Sequence, residues 1–482
     1  MSETGRKATA FDSATEDEIP EGWTTTGLPD VAEIIMGQSP PGSSYNKAGS
    51  GLPFFQGKAD FGARSPTARA WCTEPSRVVQ PGDILISVRA PVGPTNLADQ
   101  RCAVGRGLSA IRPRGGVPSL LVLYALRLQE EELAEKGTES TFTAINRDDL
   151  EAVSFPLPPL AEQNRIVAKV EKLLARVDAS RARLARVPAV LKHFRQAVLA
   201  AACEGRLTEE WRGAQATFSR VVGEETESTL AVEFPKSWRW LKAASLCDPA
   251  RALTYGVIKL GPPVTRGIPT LRSSNVRPLF IDTSEVKCIS KEIASEYSRT
   301  TLRGEEVLIT VRGTLGGIAV AKPEMNGWNV SREVAVLPVL PDRCDPNYLV
   351  IAIASRGCQY WLMERAKGVA YTGINIEDLK LLPVPIPTLL EQREVVRRVE
   401  ALFKLADAVE KRVATARARA DNLTQAILAR AFRGELVPTE AELARRVGRG
   451  YETATELLER IRGQRAVTAG RAQRQFPRPN VR

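Results

Sequence analysis

The sequence predicts a mixed α/β protein in which two similar globular domains alternate with two long coiled-coil helices. Three observations predict this organisation: an internal repeat whose unit is about half of the chain, a heptad pattern of apolar residues inside the repeat, and a proline-rich segment before each heptad run. With 482 residues, the chain is long enough for two or three domains that each have their own core.

The repeat is clearest in two segments that keep a constant offset of 229 positions, as from Glu162 to Glu391. The first begins at Phe155 and reads FPLPPLAEQNRIVAKVEKLLARVDAS, and the second begins at Val384 and reads VPIPTLLEQREVVRRVEALFKLADAV. Fainter matches precede both segments: PEGW from Pro20 with PKSW from Pro235, and GDILISVRAPVG from Gly82 with EEVLITVRGTLG from Glu305. Because the repeated unit is far longer than a solenoid repeat, the pattern indicates duplication of a whole domain.

Each repeated segment continues as a helix whose apolar residues follow heptad spacing. This spacing predicts a coiled-coil seam rather than an amphipathic helix on a globular core, because the flanking positions are charged and cannot be buried. The seam residues of the first copy are Ile166, Val170, Leu173, Val177, Leu184, Val187, Leu191, Phe194 and Val198. Those of the second are Val395, Val399, Leu402, Ala406, Val409, Val413, Ala416, Ala420, Leu423 and Ile427.

Prolines and glycines mark the ends of these helices. Pro188 should kink the first helix, and Gly205 and Gly434 stand where helix-ending glycines belong. Prolines cannot join a helix interior or a central strand, so the repeated proline run before each helix predicts a stiff extended connector. The run comprises Pro156, Pro158 and Pro159 in the first copy and Pro383, Pro385 and Pro387 in the second.

The globular parts are predicted to contain short strands and helices. Asp83–Val88 and Glu306–Val311 are β-rich runs, Ser119–Leu128 and Tyr348–Ser355 resemble helices, and Gly37–Asn46 is a loop rich in Gly, Pro, Ser and Asn. The predicted boundaries are an N-terminal tail (1–18), a first domain (19–155), connector and helix 1 (156–207), a linker (208–233), a second domain (234–384), connector and helix 2 (385–436), and a C-terminal helix with a basic tail (437–482).

Composition bounds the function. The net charge of +11 and a pI of about 9.4 favour a polyanionic partner. The sequence shows no apolar run of the roughly 20 residues that a membrane-spanning helix needs, and the polar start is unlike a signal peptide. The 7 cysteines form no CxxC pair, so we expect a cytoplasmic protein with reduced thiols and no membrane association.

The motifs of the common nucleotide-dependent and hydrolytic enzymes are missing from the sequence. There is no GxxxxGK[ST] phosphate loop, no GxGxxG fingerprint, no Asn-Pro-Pro-Tyr-like methyl-donor loop, and neither HExxH nor GxSxG. Glu285-Val286-Lys287 is a lone nuclease-like ExK without a suitable acidic partner. His193 is the single histidine and lies on a predicted coiled-coil helix. We therefore predict no catalytic residue, no metal site and no cofactor in this chain.

Loops of both globular domains carry side chains suited to DNA. Arginine matches guanine O6/N7, Asn and Gln match adenine, and hydroxyl groups take phosphate or either base. The candidates in the first domain are Gln38, Ser39, Tyr45, Asn46, Gln56, Lys58, Arg64, Arg89 and Arg106. Those in the second are Arg272, Ser273, Ser274, Asn275, Arg312, Arg332, Tyr371 and Thr372. Arg89/Arg312 and Arg106/Arg332 recur at matching places, which fits either shared DNA contacts or an inherited scaffold.

The doubled motif, PLPPLAEQNRIV leading to AVLAAACEGRLT and PIPTLLEQREVV leading to AILARAFRGELV, resembles the specificity subunits of type I restriction-modification enzymes. The loop GQSPPGSSYN and the strand DILISVRAPVG are similar to the target recognition domains of that family. The resemblance extends from about Ile19 to Leu436. The second domain departs from the pattern, because SLCDPARALTYG from Ser245 replaces the GQSPPGSSYN loop.

The resemblance implies two target recognition domains of similar α/β fold, separated by two long antiparallel coiled-coil helices in a pseudo-two-fold internal repeat. Each domain would read one half of a bipartite, asymmetric double-stranded DNA target. Two methyltransferase subunits would dock on the helical regions, and two ATP-driven restriction subunits can join. S-adenosylmethionine, ATP and Mg are expected in those partner subunits. The repeated pairs Glu162-Gln163 and Glu391-Gln392 are the predicted subunit interface.

Two other functions compete with DNA recognition. A coiled-coil scaffold that joins proteins without touching DNA would show no salt-dependent DNA affinity. A single-chain endonuclease or methylase is disfavoured by the missing motifs. The basic stretch from Gln464 to Arg482 has no counterpart in the family pattern; it is either a phosphate-binding arm or a solvated end.

Overall fold

The computed structural model describes residues 19–138, 144–213, 218–221, 232–366 and 373–475. The chain divides into two compact units. Unit 1 takes in the chain before Ala185 and after Thr415, and unit 2 is Ala185–Thr415. No described helix is long and apolar enough to cross a membrane.

The globular part of unit 1 contains short strands and short helices. Its strands are β1 (Thr24–Gly27), β2 (Ala32–Met36), β3 (Tyr45–Asn46), β4 (Leu52–Phe55), β5 (Trp71–Cys72), β6 (Val78–Val79), β7 (Ile84–Ser87), β8 (Thr95–Leu97), β9 (Cys102–Val104), β10 (Leu108–Pro113) and β11 (Ser154–Leu157). Its helices are α1 (Leu28–Val31), α2 (Ser119–Leu128), α3 (Glu130–Thr138) and α4 (Arg147–Glu151).

The first long helix, α5 (Leu160–Cys203), begins in unit 1 and ends in unit 2. The globular part of unit 2 then has helices α6 (Glu209–Arg212), α7 (Lys291–Glu296), α8 (Pro346–Ala354), α9 (Arg356–Glu364) and α10 (Ile376–Lys380). Its strands are β12 (Phe218–Val221), β13 (Val232–Pro235), β14 (Arg239–Lys242), β15 (Thr254–Tyr255), β16 (Ile268–Leu271), β17 (Val276–Arg277), β18 (Phe280–Ile281), β19 (Lys287–Ile289), β20 (Val307–Thr310), β21 (Ile318–Val320), β22 (Asn329–Val330), β23 (Val334–Leu337) and β24 (Pro383–Ile386).

The second long helix, α11 (Leu389–Phe432), returns to unit 1 and is followed there by α12 (Glu440–Val447) and α13 (Ala454–Gln475).

The two units repeat one topology. Each has a four-stranded antiparallel sheet, in the order β2-β10-β7-β8 or β15-β23-β20-β21. Each also has a second sheet with one parallel pair, β4 with β9 or β16 with β22. The two predicted β-rich runs form β7 and β20, and the two predicted helices form α2 and α8. These predictions are confirmed, and the duplication extends to the connections between strands.

Each proline-rich connector is extended, as the sequence predicts, and each also forms one strand of a two-stranded sheet. β11 pairs with β1 in unit 1, and β24 pairs with β14 in unit 2. Proline is tolerated in these strands because neither has a second neighbour that would need the missing N–H group. The pairing places the start of each long helix directly beside its own globular domain.

The two long helices run antiparallel within each unit. In unit 1, Arg181 of α5 donates to Thr424 Oγ1 of α11 at 3.0 Å, whereas the later residue Leu184 accepts from the earlier residue Arg417 at 3.1 Å. In unit 2, Arg195 of α5 forms ion pairs with Asp407 and Glu410 of α11 at 2.7 and 3.0 Å. The predicted coiled-coil pairing is therefore present in both units.

Two details of the helices differ from the sequence prediction. Pro188 lies on an exposed side of α5 and does not interrupt the helix. Leu423 is 49% exposed, because a helix of 3.6 residues per turn drifts from a strict heptad repeat and the contact moves to Thr424. Gly205 and Gly434 have left-handed backbones with φ of 74° and 75° and end their helices as predicted.

The basic C-terminal stretch is not a free arm up to Gln475, because it belongs to α13. Ala454, Leu457, Leu458 and Ile461 are buried in the core of unit 1. Arg462 forms an ion pair with Asp30 at 3.2 Å, and Arg465 donates to the Pro29 carbonyl at 3.0 Å. Residues 464–475 are therefore helical, with Arg465, Ala466 and Val467 exposed. Phosphate binding and a solvated end both stay predictions for this stretch, and 476–482 lie outside the described residues.

Candidate nucleic-acid interface

Five of the predicted DNA-binding side chains line one cleft in unit 1. The cleft has a volume of about 310 Å³ and is formed by loops that follow β2, β4, β7 and β9. Its predicted residues are Ser39, Gln56, Lys58, Arg89 and Arg106. All three cationic side chains are exposed, so the cleft presents positive charge and hydrogen-bond donors to solvent.

The cleft has a fixed backbone. The amide of Gly37 donates to Leu108 O at 3.0 Å, and that of Gln38 donates to Val104 O at 3.2 Å. A Cβ on Gly37 would lie only 2.2 Å from the carbonyl oxygen of Gly105, so only glycine allows this approach. The loop after β2 is thereby held against the loop that carries Arg106.

Arg106 is oriented by a neighbour in the cleft. Its Nε donates to Ser39 Oγ at 3.2 Å, which leaves the terminal guanidinium nitrogens directed away from this hydrogen bond. An arginine fixed in this way loses less rotamer freedom when it binds a base edge or a phosphate. The geometry suits a positioned cation at a DNA surface.

Unit 2 repeats the backbone frame of this cleft residue by residue. Gly256 donates to Val334 O at 3.3 Å as Gly37 does to Leu108, and Val257 donates to Val330 O at 2.8 Å as Gln38 does to Val104. Counting from these bonds places Arg332 at the position of Arg106. The pairing of β20 with β23, which matches that of β7 with β10, places Arg312 at the position of Arg89.

Other predicted residues of unit 2 stand at matching positions of the same backbone frame. Arg272 follows β16 as Gln56 follows β4, and Ser274 takes the place of Lys58. The guanidinium of Arg312 lies 5.7 Å from the centroid of the Tyr255 ring, a cation–π contact that restrains it. Arg312, Arg332 and Ser274 are exposed.

Two predicted residues of unit 2 hold the loop instead of facing solvent. Ser273 is buried and donates through Oγ to Glu333 Oε2 at 2.8 Å. Asn275 is buried, accepts from the amide of Arg272 at 3.0 Å and donates to Asp282 O at 3.1 Å. Direct base contact by these two side chains has the least structural support among the predicted set.

The remaining predicted residues of unit 1 do not line its cleft. Gln38 is exposed beside the cleft of unit 1. Tyr45 stacks on Phe54 and donates to Pro40 O at 2.9 Å, which stabilises the loop. Asn46 caps the turn that follows it. Arg64 forms an ion pair with Glu171 of α5 at 2.8 Å. Tyr371 and Thr372 lie outside the described residues.

The sequence prediction missed two residues of the second cleft. Ile258 stands at the position of Ser39, and Glu333 stands at the position of Gly107. An exposed isoleucine and a glutamate next to an arginine have no periodic signal that would mark them. Their spacing from paired residues finds them. Ile258 lies two residues after Gly256 as Ser39 follows Gly37, and Glu333 directly precedes Val334 as Gly107 precedes Leu108.

The predicted subunit-interface pair of unit 1 is buried inside the chain. Glu162 accepts from Trp23 Nε1 at 3.1 Å and from the amide of Glu440 at 2.8 Å. Gln163 donates to Pro158 O at 2.8 Å. Burial raises the pKa of the Glu162 carboxyl above its ordinary value, although the donated hydrogen bonds and Arg165 oppose the shift. The pair joins the start of α5 to the segment that follows α11.

The pair of unit 2 has the same role with different partners. Glu391 accepts from Thr208 Oγ1 at 2.8 Å and forms a buried ion pair with Arg212. Gln392 donates to Pro387 O at 3.0 Å and accepts from the amide of Asp345 at 2.8 Å. As folded, these four buried side chains present no surface to a partner subunit. We reassign them from a subunit interface to internal contacts that hold the start of each long helix against the rest of its unit.

Catalytic chemistry has few candidates among the described residues. The ranges that the structure describes contain no group of His, Cys, Asp and Glu that could hold a metal ion. Burial raises the pKa of Cys102, Cys247 and Cys344 to about 12 and that of Cys358 to about 11. These thiols are therefore poor nucleophiles at neutral pH.

Comparison with known families and proteins places this geometry in context. Residues 20–189 and 267–415 match the family model described as the type I restriction modification DNA specificity domain. The specificity subunit of the type I restriction enzyme EcoBI from Escherichia coli is 32% identical over 455 residues, 94% of each chain. That of EcoKI from E. coli K12 is 30% identical over 478 residues, 94% of this chain and 98% of the relative.

Solved structures share the fold. A chain from a structure on complex assembly and conformational transition of the type I R-M system superposes with a TM-score of 0.61 at 22% identity, over 87% of this chain and 99% of its own length. The HsdS subunit of Thermoanaerobacter tengcongensis gives 0.53 at 21% identity, over 87% and 98%.

Proposed function

The chain belongs to the DNA specificity subunits of type I restriction-modification systems, and we propose that its two clefts each read one half of a bipartite DNA target. As a member of that family, it is a non-catalytic DNA-recognition protein. The proposal concerns which atoms perform the recognition: the cleft of unit 1 with Arg89 and Arg106, and the cleft of unit 2 with Arg312 and Arg332.

The observation that carries the proposal is the equivalence of the two clefts. Each presents two arginines from the same two loops, one after the strand at the centre of the four-stranded sheet and one before its neighbour. Exposed arginines on loops that are held by backbone bonds suit phosphate contacts and bidentate guanine contacts in the major groove. One cleft in each unit matches a target in two parts.

The partners follow from the duplicated helices. We propose that two methyltransferase subunits dock on this chain, one for each copy of the junction between a globular domain and a long helix. Because Glu162, Gln163, Glu391 and Gln392 are buried, docking would use exposed side chains on the outward faces of α5 and α11. S-adenosylmethionine, and ATP with Mg for restriction subunits, would be bound by those partners.

A salt titration of the assembled complex tests the proposal. The complex of this chain with its cognate methyltransferase subunits should bind the DNA that it modifies, and affinity should fall steeply with salt because phosphate contacts release counterions. A coiled-coil scaffold without DNA contacts predicts no such dependence. Retention of full affinity after all four cleft arginines are changed to alanine would refute the assignment of the clefts.

A further inference from the structure

We infer that Ile258 reads the 5-methyl group of a thymine in the half-site bound by unit 2, an inference that rests on the proposed function of the two clefts. No other described residue at the rim of either cleft combines a large apolar side chain with this position next to the paired arginine.

The position of Ile258 is fixed by the backbone of the cleft. It lies two residues after Gly256, whose added Cβ would meet Val330 O at 1.8 Å, so the chain cannot shift along this edge. The preceding Val257 accepts from the amide of Arg332 at 2.9 Å and is fully buried. Ile258 is thereby held beside the loop that carries Arg332, as Ser39 is held beside Arg106.

The side chain of Ile258 is directed outward. It is 51% exposed, although the hydrophobic cores of unit 2 lie under the same loop, and its neighbour Lys259 is also exposed. Ile258 leaves about half of its surface exposed in a loop region that also carries the exposed Lys259 and Arg332, and this exposed half gains nothing from packing inside the protein. This surface would be buried favourably if bound DNA placed an apolar group against it. The thymine methyl is the apolar group that the major groove presents.

Comparison of the two clefts shows which positions can carry sequence information. The two halves of an asymmetric target share the sugar-phosphate backbone and differ in their bases. Residues that occur in both clefts, such as Arg106 and Arg332, can therefore contact the sugar-phosphate backbone that both half-sites share. Ser39 and Ile258 occupy the same position in the two clefts. Because their side chains differ, this position can read different bases in the two half-sites.

Replacement of single thymines by deoxyuridine tests the inference, because uracil lacks only the methyl group. The complex with the cognate methyltransferase subunits is first used to identify its modified sequence, and each thymine of both half-sites is then replaced in turn. We expect one substitution, in one half-site, to weaken wild-type binding roughly fourfold, the factor for one methyl-sized group. Ile258→Ser, which installs the unit 1 residue, should bind the thymine and uracil duplexes equally.

The controls separate the possible failures. Leu381 is similarly exposed in unit 2, at 50%, and Leu381→Ala should keep the wild-type preference for thymine. If no thymine is sensitive, or if Ile258→Ser keeps the preference, the inference is overturned while DNA recognition by the clefts stands. If the wild-type complex shows no sequence-specific, salt-dependent binding, the proposed function fails and the inference fails with it.

Discussion

Arg106 and Arg332 stand two residues before a buried strand of their units, on a loop that a glycine-led segment holds in place. Their immediate partners differ: Arg106 donates to the hydroxyl of Ser39, whereas Arg332 uses its amide to contact the carbonyl of Val257. Each arginine is thus fixed at its base, and its guanidinium can reach a phosphate or a guanine. The second pair, Arg89 and Arg312, lies on the neighbouring loop.

Alanine substitutions should divide the target between the units. Changing Arg89 or Arg106 should disturb one half-site and leave the other unchanged, and changing Arg312 or Arg332 should do the reverse. A lost bidentate guanine contact should cost about 1–3 kcal/mol and relax the preference at that base pair. A lost phosphate contact should weaken binding evenly and lower the salt slope by about one unit.

Sequencing of the modified sites and salt titration measure these effects. Arg101→Ala, which removes an exposed arginine outside the cleft, serves as the control and should leave both half-sites intact. An effect of any one cleft variant on both half-sites, or on neither, would count against the assignment.

For single residues, the sequence predicted which side chains carry charge but not which side chains face solvent. The arginines could be predicted because their residue type and their recurrence pointed to one chemistry. Buried Ser273 and Asn275 look the same in sequence as exposed Ser274, since polar loop residues serve turns and ligands alike. Glu162 and Gln163 were assigned to a subunit interface because a repeated polar pair gives the same sequence signal whether its partner is another chain or the chain itself.

The long helices depend on buried carboxylates at their first turns. Glu391 forms an ion pair with Arg212 in which both side chains are less than a tenth exposed. Removal of Glu391 leaves the Arg212 guanidinium buried without its carboxylate, and breaking a buried ion pair in this way typically costs about 3–5 kcal/mol. Glu391→Ala should therefore destabilise unit 2 strongly, with lost hydrogen-exchange protection at α6 and at the start of α11.

Glu400→Ala is the matched control for this variant, because Glu400 lies on the same helix with an exposed side chain. Its effect should stay within about 0.5 kcal/mol. Equal protection of unit 2 in both variants would show that the buried pair does not hold the helix start.

Glu162 predicts a pH dependence for unit 1. Burial raises its pKa in the folded chain above the ordinary value of 4.5, so the folded state binds the proton more tightly than the unfolded state. This contribution favours folding below pH 4.5 and is lost as the pH rises through the raised pKa. Hydrogen exchange of unit 1 should show a decline in stability over this interval that Glu162→Gln removes, and an unchanged decline would contradict the assignment.

The helices are also the element that should set the gap between the half-sites, since each begins in one unit and ends in the other. Duplicating the seven residues Arg393–Val399 restores the same apolar seam and lengthens α11 by about 10 Å. DNA rises 3.4 Å per base pair, so we expect up to about three additional base pairs in the non-specific gap. Shorter insertions between Gln392 and Val399 should lengthen it by one or two.

Sequencing of modified sites decides this prediction. Both half-site sequences should remain unchanged, and a seven-residue insertion between Val221 and Val232, outside both long helices, should leave the gap as it was. An active enzyme with altered half-sites and an unaltered gap would show that the helices do not measure the target.

For the whole molecule, duplication predicts the composition of the complex. Each unit contains one globular domain with the start of one long helix and the end of the other, so each surface that binds a methyltransferase should occur twice. Native mass spectrometry of the co-expressed complex should find two methyltransferase chains per copy of this chain. A stable, saturated one-to-one complex would contradict this expectation.

The organisation of the whole molecule was the most predictable part. Repeats, heptads and prolines are periodic or duplicated signals, and they gave the α/β domains and the paired helices that the structure contains. The sequence has no such signal for the packing of α12 and α13 in the core of unit 1. α13 buries only a short apolar cluster, and the rest of its sequence resembles a basic tail.

Cross-linking tests most directly the claim that each unit reads its own half-site. One thymine in either half-site is replaced by 5-iododeoxyuridine, and the complex with its methyltransferase subunits is irradiated and digested. One half-site should cross-link only to peptides from Gly37–Gly107 of unit 1, and the other only to peptides of unit 2, from Gly256–Glu333 or from the segment with Tyr371 and Thr372. Cross-links from both half-sites to the same unit would contradict the account.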